Sequence, residues 1–145
     1  MNALLRRLTA AACAFACTLA FAADPAPAGS AEESAKLATG WLALVDSGDY
    51  ATSWKESASR FRAMVSQPKW VAAMEQVRQP LGSVSNRELV EAVFTHEVPR
   101  APKGDYWQVK FKTTFEAIAA NEVITLVADT DGTWRVFQFF IRPAS

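Results

Sequence analysis

The chain has 145 residues, with 15 basic and 15 acidic side chains, one histidine and two cysteines. A balanced charge without a basic stripe argues against a nucleic-acid binder, which neutralises phosphates with clustered Lys and Arg; the longest basic cluster is only Arg100 and Lys103 around Ala-Pro. The length suits one domain, since a chain of this size hides roughly two-thirds of its unfolded surface.

Met1 to Ala22 reads as a cleaved signal peptide. Arg6 and Arg7 precede the apolar run Leu8 to Phe21, and Ala20 and Ala22 are the small residues before a cleavage point at Ala23. Fourteen apolar residues rise about 21 Å as helix, short of the roughly 30 Å hydrocarbon core, so the run is no membrane anchor. Cys13 and Cys17 lack the Leu-rich box of a lipoprotein and leave with the leader, so the mature chain has no thiol. The residues that should follow a twin arginine in a folded-export signal are missing, which predicts ordinary unfolded export to the periplasm or medium. Without Arg6 and Arg7 the remainder carries 13 basic and 15 acidic groups, a net charge near −2. No membrane attachment is expected after cleavage, and the fold has to stand on packing without disulfides.

Residues 23–29, Ala-Asp-Pro-Ala-Pro-Ala-Gly, form a tether with little to bury, and one domain is expected over 30–145. Ser30-Ala31-Glu32-Glu33 is a capping box, followed by Ala38, Trp41, Leu42 and Val45 at helical spacing. Gly48 is placed to end this helix in the left-handed region, and Asp49 to cap a second one carrying Tyr50, Trp54, Ser57 and Ala58 on one face. Ser66-Gln67-Pro68 starts a third helix with the stripe Trp70, Val71, Met74 and Val77, ended by Pro80 and Gly82.

From Val84 the apolar period changes to two. Val84, Val90, Ala92 and Phe94 alternate loosely in a first strand, which would place Asn86 and Glu88 on the same face. The second, 105–116, turns Trp107, Val109, Phe111, Thr113 and Phe115 one way. A third strand spans Asn121 to Asp129, and Asp131-Gly132 signals a two-residue hairpin into Thr133 to Arg142. That last strand is apolar on both faces, as a strand covered twice would be. The predicted fold is α+β: three N-terminal helices packed on a four-stranded, curved antiparallel sheet. Three helices leave one sheet face uncovered, which predicts a homodimer through that face.

Helices followed by four long antiparallel strands resemble the nuclear transport factor 2-like, or cystatin-like, cone. The runs Trp41 to Trp54, Arg78 to Arg87, Gly104-Asp105-Tyr106 and Asp131 to Val136 resemble exported bacterial proteins grouped as domain of unknown function 4019. This resemblance implies the fold and an exported location, and no activity or catalytic residue. The chain departs from the family pattern at Glu122-Val123 and Gln138-Phe139.

The residues offer little for catalysis. His96 stands alone beside Glu97, with no spacing for a metal site and no nucleophile elbow, so no metal or cofactor is expected. Cone-fold enzymes commonly aim an acid or base into the pocket, and the inward face of strand two offers none. The candidate ligand-binding set is Trp54, Arg78, Arg87, Phe111, Glu122, Trp134 and Arg135, an aromatic lining with guanidinium forks suited to carboxylates. Arg78 and Arg87 have a structural alternative in holding helix carbonyls, or Asp46 and Glu75, and Arg135 in pairing with Glu122 or facing outward. The leading reading is an exported non-enzymatic module that binds a small ligand or an envelope protein partner. Its rivals are an isomerase or hydrolase with Glu88 or Glu122 as general base, and a structural homodimer without ligand.

Overall fold

Ser30 begins the first helix by the reciprocal bonds its sequence calls for. Glu33 N donates to Ser30 Oγ at 3.1 Å, and Ser30 N donates to Glu33 Oε2 at 2.9 Å. The computed structural model describes residues 29–144, so the signal segment, Ala20, Ala22, Ala23 and the tether as far as Ala28 lie outside the described residues. Helix α1, Ala31–Asp46, buries Ala38, Trp41, Leu42 and Val45, and Gly48 follows at φ +77°. Asp49 then caps α2, Tyr50–Lys55, by accepting from Thr52 N at 3.1 Å.

The single second helix expected from sequence is two helices. After α2 the amide of Ala58 leaves the helical ladder and donates to Val136 O at 2.8 Å, and α3, Ser59–Met64, restarts beyond it. Helix α4, Gln67–Arg78, has Pro68 in its first turn and passes through a 3-10 turn, Gln79–Leu81, to the sheet. Its buried line is Trp70, Met74 and Arg78, while Val77, expected inside, is 47 % exposed.

Strands β1 (Val84–Thr95), β2 (Tyr106–Phe115), β3 (Ala119–Ala128) and β4 (Trp134–Pro143) form one open, curved antiparallel sheet in the order β1-β2-β3-β4. The helices cover one face. There α1, α4 and the alternate residues Trp107, Val109, Phe111, Ile124 and Leu126 make the main core, with Phe139 edge-on to Trp41 at 5.2 Å. A smaller cluster joins Ala58, Val98, Tyr106 and Phe137.

Bulges decide which residues face which way. β1 carries an extra residue at Ser85 and another at Val90. Between them the alternation is inverted: Arg87 pairs with Thr113 and Leu89 with Phe111 on the helix side, and Asn86 and Glu88 face away. Beyond Val90 the parity returns, so Val84, Ala92 and Phe94 face as their spacing predicts, whereas Asn86, Glu88 and Val90 do not. In β4 the extra residue is Phe137, which explains why this strand reads as apolar on both sides. Asp131-Gly132 is part of a five-residue loop, Asp129 to Thr133, closed by Asp129 N donating to Thr133 O at 2.9 Å, not a two-residue turn.

Arg87, turned inward, joins three elements. Its Nη1 and Nη2 donate to the two carboxylate oxygens of Asp46 at 2.6 and 3.0 Å, and its Nε donates to Glu122 Oε2 at 2.7 Å. Thr113 Oγ1 donates to the same Glu122 oxygen at 2.5 Å, and Arg78 Nη2 reaches Asp46 Oδ1 at 3.1 Å while its guanidinium lies over Phe115. Burial alone would lower the Arg87 pKa, but its bonds to Asp46 and Glu122 hold it above its ordinary value. Glu122 is completely buried, so removing its cation strands a charge. Arg87→Met is expected to cost about 3–5 kcal/mol in urea unfolding. The double variant Arg87→Met, Glu122→Leu should recover most of that loss, and equal losses in single and double variants would show that Glu122 does not depend on Arg87.

Candidate functional site

Glu33, Leu37, Gly40 and Leu44 of α1 line a cleft of about 1090 Å³ together with Thr52 of α2, its C-cap Glu56, and Gly132 to Val136. Its aromatic lining is Trp134, with the edges of the buried Trp41 and Trp107. The Nε1 atoms of Trp107 and Trp134 both lie 3.6 Å from where a Cβ on Gly29 would stand, so the two indole edges converge where the described chain begins. Trp41 is fixed from behind: its Nε1 donates to Ser53 O at 2.9 Å and its ring packs on Trp70.

The charged groups around the cleft differ in how free they are. Glu33 serves the helix cap, whereas Lys36 and Glu56 make no ion pair among the described residues. Arg135 grips Asp131 with two bonds, 2.7 and 2.8 Å, and Asp129 with a third at 3.2 Å. Asp129 also accepts from the Ser59 hydroxyl and from Ser59 N, tying α3 to the β3-β4 loop. Hydrogen bonds from Ser59 hold the Asp129 carboxyl below the usual range, and those from Arg135 do the same to Asp131. The Arg135 pKa is raised, chiefly by Asp131.

Of the candidate binding residues, Trp134 and Arg135 line the cleft. Trp54 is turned away, its Nε1 donating to Val65 O at 2.7 Å to join α2 to the end of α3. Arg78, Arg87 and Glu122 form the buried ionic cluster, and Phe111 is in the core behind it. The partner of Arg135 is Asp131 rather than Glu122, and Arg78 and Arg87 hold Asp46, with no bond to Glu75. Neither proposed base reaches the cleft. Glu88 is exposed on the opposite sheet face, where it accepts from Asn86 Nδ2 at 2.9 Å, and Glu122 is enclosed. His96 is exposed at the rim of the sheet, with Nδ1 2.9 Å from Asp105 Oδ1. Among the described residues no three His, Cys, Asp or Glu side chains gather as a metal site requires.

Leu37, Gly40 and Leu44 are cleft residues that sequence reasoning passed over. A signal was present: glycine inside a helix costs about 0.5–1 kcal/mol relative to alanine. A Cβ on Gly40 would meet nothing within 4 Å, so no packing inside the chain requires the glycine.

The family described as "Protein of unknown function (DUF4019)" matches residues 37–139. No curated protein matches the chain.

The depressed carboxyls at the cleft end fix the sign of an acid response. A carboxyl whose pKa is lowered on folding contributes stability that is present above its unfolded value, ordinarily 3.8, and is lost as pH falls towards the folded value. Stability is therefore expected to fall as pH drops below about 4, and less steeply in Asp131→Asn; an unchanged slope in urea unfolding between pH 5 and 2.5 would count against the Arg135 clasp.

Proposed function

The chain belongs to the DUF4019 family of proteins of unknown function, and we propose that it is an exported, non-enzymatic binding domain whose ligand sits in the cleft between α1 and the start of β4. The observation that carries the reading is the cleft itself, about 1090 Å³, lined by Leu37, Leu44 and Trp134 and by the edges of the buried Trp41 and Trp107. Small-molecule sites are concave, mostly apolar and aromatic, with a few polar groups to orient the ligand, and are commonly about 300–1,000 Å³. The ligand class that suits this site is a compact apolar compound with a ring to lie against indole faces and a polar end to meet Lys36 or Glu56. Aromatic pairs of this kind contribute about 0.5–1.5 kcal/mol beyond the area they bury.

Export rests on the pattern of Met1 to Ala22, and the periplasm or medium is the proposed location. No helix among the described residues is long and apolar enough to cross a membrane. Binding is favoured over catalysis because Glu33 is engaged in the capping box, Arg135 is held by Asp131, and the remaining charged groups of the described lining, Lys36 and Glu56, have no histidine or cysteine beside them there. A volume of this size also favours a ligand over the purely structural dimer.

Thermal denaturation with a panel of ring-bearing apolar compounds, neutral, cationic and anionic, is expected to show a raised melting point for at least one. Trp134→Ala should abolish that shift. Gly40→Ala should stabilise the unliganded fold by about 0.5–1 kcal/mol, whereas Gly40→Leu should keep the fold and lose binding. If the whole panel leaves the melting point unmoved, the small-ligand reading fails and a protein partner takes its place.

A further inference from the structure

The sheet face turned away from the helices has an ordered arrangement of charge. Across the sheet at one level, Glu88 pairs in register with Lys112, Lys112 with Asn121, and Asn121 with Arg142. One level along, Glu91, Lys110, Val123 and Phe140 are in register. Glu91, Lys110, Lys112 and Arg142 make no ion pair among the described residues, and Arg142 lies over the Phe140 ring instead. Val90, Val93 and Phe140 are 52, 48 and 42 % exposed, and a shallow groove crosses the face beside Val93, Lys110 and Val123. Acid therefore stands at the β1 edge and base at the β4 edge, with Lys110, Lys112, Asn121 and Val123 on the two strands between them, and Val90, Val93 and Phe140 are the exposed apolar groups of the edge strands.

We infer that this face is an interface with a second copy of the chain, stacked sheet on sheet about a two-fold axis parallel to the strands, so that Glu88 of each copy meets the partner's Arg142. Such an axis reverses the strand order without changing the level along the strands, laying β1 on the partner's β4. Lys112 then meets Asn121. Lys110 lies over Val123, covering it with its aliphatic stem, and Glu91 lies beside Phe140. The other simple two-fold, perpendicular to the strands, would lay β1 on β1 and set the acids Glu88 and Glu91 against the same acids of the other copy. Charge thus selects one geometry over the other. Stacked sheets sit about 30° apart, which shifts the outer strands by roughly 4 Å, within reach of two long side chains.

The available area agrees. Four strands about 4.8 Å apart and ten residues long give a face of roughly 19 by 34 Å, about 650 Å² on each copy. The total clears the roughly 1,000 Å² at which an interface becomes credible.

Sedimentation velocity of the full chain, purified as its host processes it, tests the proposal. A dimer is expected at about 10 µM. Arg142→Glu should raise the dimer dissociation constant at least tenfold, Phe140→Lys should do the same, and Glu88→Arg with Arg142→Glu should restore the dimer. Circular dichroism and melting point identify variants that have lost the fold, and Phe140, already exposed, gives a second route to dissociation. A wild-type monomer at 100 µM overturns the interface. A dimer indifferent to Arg142→Glu, or a charge-swapped double variant that stays monomeric, overturns this geometry.

Discussion

Glu122 places a carboxylate on the helix side of β3, where none of it meets water, and the strands around it are arranged to supply its counter-charge. Arg87 can do so only because the bulge at Ser85 turns that part of β1 inward. Once inward, its fork also reaches Asp46, the last residue of α1, where a carboxylate at the negative end of the helix dipole would otherwise be unfavourable. The same bulge sends Asn86 and Glu88 outward, and the second bulge, at Val90, brings Ala92 and Phe94 back to the core. The buried acid is thus matched to the inverted segment between the two bulges, which determines what β1 shows there on the open face as well as the packed one.

The cluster also gives α1 two unlike ends. At Asp46 the helix is bound to β1 and α4 by three charge-assisted bonds and lies close to the sheet. At Ser30 its capping box is satisfied within the helix, and among the described residues the space between α1 and the β3-β4 loop is a cleft. The cleft is where the helix and the curved sheet diverge. Its far wall is rigid for a different reason, since Asp129 and Asp131 hold Arg135, and Ser59 holds Asp129.

The order of helices and strands, the cap at Ser30, the buried stripe of α1, the glycine at 48 and the alternation of β2 were all legible in the sequence, because each depends on neighbours within a few residues. What escaped depended on distant ones. No local pattern announces an extra residue at Ser85 or Val90, and each inverts everything beyond it. The break at Ala58 is caused by Val136, far along the chain, and Arg78 is buried in place of Val77 because Asp46 and Phe115 receive it. The lining of the candidate cleft was legible in part for the same reason. Trp134 and Arg135 flank a recognisable loop, whereas Glu33, Leu37, Gly40 and Leu44 occupy the helix face that a solvated surface would, and only the mid-helix glycine marks it.

The edge-on packing of Phe139 against Trp41 has a consequence for how the molecule comes into being. The ring near the centre of the first helix is completed by a residue of β4, so a chain emerging from its N-terminus cannot close this core until residue 139 has emerged. At synthesis rates of about 5–20 residues per second, several seconds separate the two. Closure of the main core is therefore a late event in assembly, set by topology rather than by the helices' own propensity.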